Sequence, residues 1–153
     1  MTYDLQKRAK LRCMHLLEKR DYTEKQLRDK LCMGKTEYPP EVIDEAIAYV
    51  KSYRYVDDLR YAAQYIEAKK TRRSRRQIEQ ELLQKGIDRE LMRQAFEETE
   101  QIPEEELIRY WIEKRHYDPQ TADVAETRRM YAFLARKGFQ SSAIMNALKR
   151  EDY

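Results

Sequence analysis

Asp57 and Asp58 stand side by side just ahead of an apolar helical stripe. Paired carboxylates offer metal or acid–base chemistry, and adjacent Asp before such a stripe is also a helix start signal. The start signal is the preferred reading. Glu104, Glu105 and Glu106 read the same way, as the favourable acidic first turn of a helix opened by Pro103. Cys13, Cys32, His15 and His116 lack zinc-ligand spacing, so no metal site is expected, and two cysteines make no disulfide framework. Both cysteines fall near apolar helical positions and are expected to pack as small hydrophobes. No P-loop, dinucleotide turn or metal-binding histidine pair occurs, and three glycines are too few for a phosphate-cradling loop. No enzyme activity and no cofactor are therefore expected.

The remaining chemistry is cationic. Lys69, Lys70, Arg72, Arg73, Arg75 and Arg76 place six cations within eight residues. The run spans the end of one expected helix, a turn and the start of the next. Cations suit a helix C-terminus, whereas Arg75 and Arg76 at an N-terminus oppose the helix dipole. An arrangement that is locally unfavourable hints at a functional demand. Arginine supplies bidentate pairing to carboxylate or phosphate. Tyr61 and Tyr65 lie on the helix leading into the run, where stacking on a ligand and packing at the core rim compete; packing is preferred, given their apolar neighbours.

Net charge is only +3 over 153 residues, but it is segregated. Residues 57–86 carry eight Lys/Arg against five Asp/Glu, and residues 87–106 carry two against eight. Solvated helix faces give such patterns, as does a surface oriented toward nucleic acid or an acidic protein face.

The elements that must hold these groups are helical throughout. Only three Gly and four Pro interrupt the chain, and apolar residues recur at helical spacing. Residues 5–20 give a first helix on Ala9, Cys13, Leu16 and Leu17. Thr23 and Gln26 form a capping box for a second, carrying Leu27 and Leu31 and ended by Gly34 in a left-handed conformation. Pro39 and Pro40 open a third, with Ile43, Ala46, Ile47 and Val50. Asp57 or Asp58 caps a fourth, with Leu59, Ala62, Ala63 and Ile66. Ser74 and Gln77 box the fifth, with Ile78 and Leu82, and Gly86 ends it. Asp88 caps a sixth, burying Leu91, Met92, Ala95 and Phe96. A seventh carries Ile108, Trp111 and Ile112 and breaks at Asp118-Pro119. Thr121 caps an eighth, with Val124, Tyr131 and Leu134 inward and Gly138 at its end. Ser141 or Ser142 caps a last helix with Ile144, Met145 and Leu148.

Gly34, Gly86 and Gly138 recur every 52 residues, each after the second helix of a group of three. The same offset superposes Ile78 on Met130, Leu82 on Leu134, Lys85 on Lys137, Ile87 on Phe139, Met92 on Ile144 and Phe96 on Leu148. In the first group the caps Thr23 and Ser74 prefer an offset of 51. The expected fold is all-α: three tandem three-helix, helix-turn-helix-like units, 5–53, 57–100 and 103–151, in an elongated, curved array.

Several segments resemble a known family. Arg54-Tyr55-Val56-Asp57-Asp58, then Arg60-Tyr61-Ala62 and Tyr65-Ile66, resembles the Gly-Tyr-Leu-Asp-Asp-x-x-(Tyr/Phe)-Ala signature of RecX regulatory proteins. Arg76-x-Ile78-x-x-Glu81-Leu82-x-x-Lys85-Gly86-Ile87 resembles that family's Arg-x-Ile-x-x-Glu-Leu-x-x-Lys-Gly-Ile segment. Thr23-Glu24-x-x-Leu27-x-x-Lys30-Leu31 matches its first unit, and Arg136-Lys137-Gly138-Phe139 with Ile144 its last. Arg54 stands where the family has Gly, so a left-handed turn there must be built differently. The resemblance implies a non-enzymatic protein that binds the RecA–single-stranded-DNA filament in its groove, and a monomer is expected. It also implies inhibition of the filament's ATPase, strand-exchange and co-protease activities.

Partner contacts are expected at Lys69, Lys70, Arg72, Arg73, Arg75 and Arg76, and at Arg128, Arg129, Arg136 and Lys137. Weak contact with single- or double-stranded DNA is expected besides. With no long apolar run and no signal peptide, the expected location is cytoplasmic, without membrane contact. The alternative is a helix-turn-helix protein acting directly on DNA, although third helices such as 89–100 are acidic and fit a phosphate-lined groove poorly.

Overall fold

The computed structural model describes residues 2–149. Within them the chain forms nine helices and no strand: α1 Thr2–Lys19, α2 Glu24–Met33, α3 Pro40–Ser52, α4 Asp58–Lys69, α5 Arg75–Gln84, α6 Arg89–Glu98, α7 Glu104–Lys114, α8 Val124–Arg136 and α9 Ser141–Leu148. No helix among the described residues is long and apolar enough to cross a membrane. Positions 150 and 151 of the expected third unit lie outside the described residues.

The chain divides into two compact units, Met1–Tyr65 with Leu82–Glu98, and Ile66–Glu81 with Thr99–Tyr153. Helices α4 and α5 run through both. In the first unit α1, α2 and α3 close on Ala9, Cys13, Leu16, Leu27, Leu31, Val42, Ile43, Ala46, Ile47 and Val50. In the second, α7, α8 and α9 close on Leu107, Ile108, Met130, Leu134, Phe139, Ile144 and Leu148. Burial of these stripes supplies the main stabilisation. The Cys13 thiol is buried, which pushes its pKa up to about 11.

Four helices end in one motif. After α3, α5, α7 and α8 the residue in the left-handed region is Arg54 (φ 59°), Gly86 (φ 91°), His116 (φ 55°) and Gly138 (φ 91°). Each time its N–H donates three residues back and the next N–H five residues back, as in Arg54 N–H to Lys51 O and Tyr55 N–H to Val50 O, both at 2.9 Å. This is the Schellman cap, which satisfies carbonyls left over at a helix end. The turn at Arg54 thus needs no new design: arginine itself adopts the left-handed conformation. Gly34 differs. Its φ of −73° and ψ of 172° are extended, so it does not terminate α2 in a left-handed conformation.

Other local expectations also shift. Helix α7 stops at a Schellman cap at His116, before Asp118-Pro119 is reached. Helix α8 is capped by Asp123, whose side chain accepts from the Glu126 N–H, and not by Thr121. Gln140 precedes α9 in place of a serine cap, and its N–H donates to Glu104 Oε1 at 2.8 Å. Val124, Met145 and Cys32 face solvent. Val124 begins α8, before the helix has turned its stripe inward, and Met145 follows buried Ile144, where the next residue points away.

Candidate contact surface

The two Asp residues divide their work. Asp57 Oδ1 accepts from the Arg60 N–H at 3.1 Å and caps its own helix. Asp58 Oδ1 accepts from the Glu24 N–H at 2.8 Å, at the start of α2. Burial raises the Asp58 carboxyl above its ordinary 3.8, and the bond from Glu24 opposes the shift. Both carboxylates are thereby committed to helix ends.

The cap hydroxyls do two jobs. Thr23 Oγ1 accepts from the Gln26 N–H at 3.1 Å and donates to the Lys85 carbonyl at 2.5 Å. Ser74 Oγ accepts from the Gln77 N–H at 3.1 Å and donates to the Lys137 carbonyl at 2.6 Å. One hydroxyl thus satisfies an orphan donor at the head of one helix and an orphan acceptor at the tail of another. Thr23 and Ser74 are fully buried polar side chains. The glycine beside each acceptor is pressed against the cap: a Cβ on Gly86 would lie 2.4 Å from the Lys25 Cβ, and one on Gly138 would lie 2.7 Å from Ser74 Oγ. Each compact unit holds one copy of this joint. The boxes differ in one respect. Gln26 Oε1 accepts from the Thr23 N–H at 3.1 Å, whereas Gln77 Oε1 is buried with no partner among the described residues, so the second box is half closed.

The basic run sits on the second unit, around its joint. Lys70 Nζ pairs with Glu67 at 2.9 Å and donates to the Glu100 carbonyl at 3.0 Å. Arg73 pairs with Glu81 at 2.5 Å and Arg75 with Glu79 at 3.0 Å. Arg72 and Arg76 are exposed and carry no ion pair among the described residues, while the Arg72 carbonyl accepts from the Trp111 indole N–H at 2.9 Å. Lys69 is half-buried at the end of α4. Arg128, Arg129 and Arg136 are exposed along α8. The joint therefore brings Arg72, Arg73 and Arg76 beside Lys137, while Arg128 and Arg129 lie two turns back along α8. Tyr61 and Tyr65 belong to the first unit, stacked at 6.3 Å, with Lys85 Nζ 5.4 Å from the Tyr65 centroid.

Lys137 is held over Trp111, its Nζ 4.0 Å from the ring centroid, and burial together with Arg115, Arg73 and Lys114 lowers its pKa. Arg115 lies over Phe133, its guanidinium carbon 3.6 Å from the centroid. Trp111 and Phe133 meet edge to face at 5.5 Å. The apolar pattern alone places Trp111 with Ile108 and Ile112 on the stripe of α7 and does not single out Phe133, Lys114 or Arg115. A signal was available: Trp111 precedes Lys114 and Arg115, and Phe133 precedes Arg136 and Lys137, by three and four residues, the spacing that puts side chains on one helix face.

A chain of three helical repeats, joined hydroxyl to carbonyl and showing a cationic surface at one joint, is an all-α tandem-repeat protein. Three RecX models match it: the first three-helix domain over residues 9–49, the second over 57–95 and the third over 103–148. Regulatory protein RecX of Caldanaerobacter subterraneus subsp. tengcongensis is 33% identical over 150 residues, covering 97% of this chain and 73% of the relative. That of Trichlorobacter lovleyi is 32% identical, covering 92% and 93%. A crystal structure of regulatory protein RecX superposes with a TM-score of 0.76 at 23% identity, over 98% of this chain and 74% of that one. RecX from Lactobacillus salivarius gives 0.74 at 17%, over 95% and 96%. The chain belongs to the RecX family of regulatory proteins.

Proposed function

We propose that the protein binds the RecA–single-stranded-DNA filament and restrains its ATPase, strand-exchange and co-protease activities, acting by contact and not by catalysis. Family membership supports a protein partner of this class. One structural observation supports the surface: the joint of the second unit gathers Arg72, Arg76, Arg136 and Lys137, none of them neutralised by a carboxylate among the described residues. The wider surface includes Lys69, Lys70, Arg73, Arg75, Arg128 and Arg129. Unpaired cations steer association with an acidic or phosphate-bearing partner.

The test is the DNA-dependent ATPase of the cognate recombinase, measured with increasing protein. Wild type is expected to inhibit. Arg72→Glu with Arg76→Glu, which removes no partner from the three ion pairs of the run, is expected to need about tenfold more protein. Inhibition unchanged by the double reversal would exclude the surface. Sequence-selective binding to naked duplex with no effect on the recombinase would replace the reading with a DNA-binding one.

A further inference from the structure

The surroundings of Lys137 oppose its charge. Its side chain leaves the end of α8 half-buried, with Nζ 4.0 Å from the Trp111 centroid and 5.0 Å from that of Phe133. The same rings carry two more cations. Lys114 Nζ lies 5.4 Å from the Trp111 centroid, and the Arg115 guanidinium carbon 3.6 Å from that of Phe133. Arg73, paired with Glu81, adds repulsion from the segment between α4 and α5. No carboxylate partners Lys137 among the described residues. The rings attract an ammonium, but burial and the repulsion of Arg115, Arg73 and Lys114 together hold its pKa below the ordinary 10.5. More of Lys137 is therefore free amine at a given pH than of a lysine in water.

The repeat shows which part of this is added. Lys85 lies over Tyr65 as Lys137 lies over Trp111, since the two rings occupy the eighth position of α4 and of α7. Lys85 has Ala68 where Lys137 has Lys114, and Glu81 four residues before it where Lys137 has Phe133. The lysine on a ring belongs to the repeat; the extra cation and the missing carboxylate belong to the third.

A desolvated amine among cations is the arrangement that activates a lysine nucleophile. The matching electrophile carries negative charge beside its carbonyl, as an acyl phosphate does. Its phosphoryl oxygens suit Arg115 and Lys114, which leaves the carbonyl carbon to Lys137. A thioester or an aldehyde has no anion at the reacting carbon. The neutral Nζ adds to that carbon and the C–N bond forms. The bond from carbon to the phosphate oxygen breaks, and inorganic phosphate leaves with its electron pair. The proton lost from nitrogen passes to phosphate or water.

We propose that Lys137 is a site of enzyme-independent acylation, taking the acyl group of a small acyl phosphate that Lys114 and Arg115 hold by its phosphate. The product is a neutral amide, which erases one cation of the contact surface. That consequence rests on the filament reading; the reaction does not.

The full chain, without recombinase, is incubated with acetyl phosphate, and acetyl occupancy at each lysine is followed by mass spectrometry of its peptides. Lys137 is expected to be acetylated ahead of Lys85 and ahead of Nα-acetyl-lysine amide added as a competitor. Its rate should rise with pH and level off at a lower pH than that of the free amine. In urea the lead should vanish. Lys137 acetylated no faster than Lys85, or an equal lead in urea, overturns the proposal on the unmodified chain. With p-nitrophenyl acetate, which has no phosphate, the lead should shrink. Arg115→Gln is expected to slow transfer from acetyl phosphate about threefold, the size of one exposed charge interaction. An equal lead with p-nitrophenyl acetate, or an unchanged rate in a folded Arg115→Gln protein, overturns the phosphate anchor. Recombinase is absent throughout, so failure here leaves the filament reading standing.

Discussion

Gly138→Ala should unlock the joint of the second unit. The added Cβ would lie 2.7 Å from Ser74 Oγ, at a φ of +91° that side chains rarely adopt. The backbone alone costs about 1–2 kcal/mol. Relief of the contact requires Ser74 to turn away, and with it go the bond to the Lys137 carbonyl at 2.6 Å and the cap on the Gln77 N–H at 3.1 Å. Each such bond is worth about 1 kcal/mol net. Alanine restricts the unfolded chain and returns about 0.5–1 kcal/mol. The expected loss is about 2–3 kcal/mol, a large part of the roughly 5–15 kcal/mol that holds a domain.

Denaturant unfolding followed by Trp111 emission reads this unit directly. Ser74→Ala alone should cost about 1–2 kcal/mol. In the Ser74→Ala background the clash is gone, so Gly138→Ala should then cost only its backbone share, about 1 kcal/mol, and the pair should be clearly less than additive. Gly34→Ala is the control: its φ is −73° and the nearest atom to an added Cβ is a carbonyl oxygen at 3.6 Å, so stability should hold or rise slightly. A Gly138→Ala cost below about 0.5 kcal/mol, or strict additivity with Ser74→Ala, would refute the account of the joint.

Two other substitutions test the caps. Arg54→Gly should stabilise the first unit by up to about 1 kcal/mol, because arginine occupies a left-handed position at φ 59° while the bond from Arg60 goes to its carbonyl, which glycine keeps; thermal unfolding measures it. Burial raises the Asp58 pKa above 3.8, so the folded chain takes up its proton at higher pH than the unfolded chain, and Asp58 contributes stability that grows as pH falls through the window just above 3.8. Asp58→Asn keeps an acceptor for the Glu24 N–H and should be at least as stable as wild type at neutral pH, with that acid-side contribution absent. Asp58→Ala should lose about 1 kcal/mol, read by thermal unfolding as for Arg54→Gly.

The helices were legible because each carries its own stripe and breaker. The capping residues Thr23, Ser74 and Asp88 could be read directly, and Asp57 as one of two candidates, since a short polar side chain before a periodic apolar run is a start signal. The second role of Thr23 and Ser74 could not: their donation to Lys85 and Lys137 joins residues more than sixty apart, and nothing local encodes it. The even spacing of the three glycines also concealed a difference, since Gly86 and Gly138 face a cap and Gly34 does not.

The same even spacing hid the Trp111 cluster. An offset of 52 superposes second helices, but first helices recur at 46, as buried Ala62 and Ile108 and the pair Tyr65 and Trp111 show. The residues that make up the difference lie mainly between α7 and α8, in the segment that begins with Arg115. With one offset applied throughout, Trp111 has no counterpart and reads as one more apolar residue. With two, it becomes the partner of Tyr65, and Lys137 on its ring becomes the partner of Lys85. The lysine on the ring is then accounted for by the repeat. Lys114 is not: it stands where the second repeat has Ala68, and it adds a cation to a joint that the second repeat builds without one there.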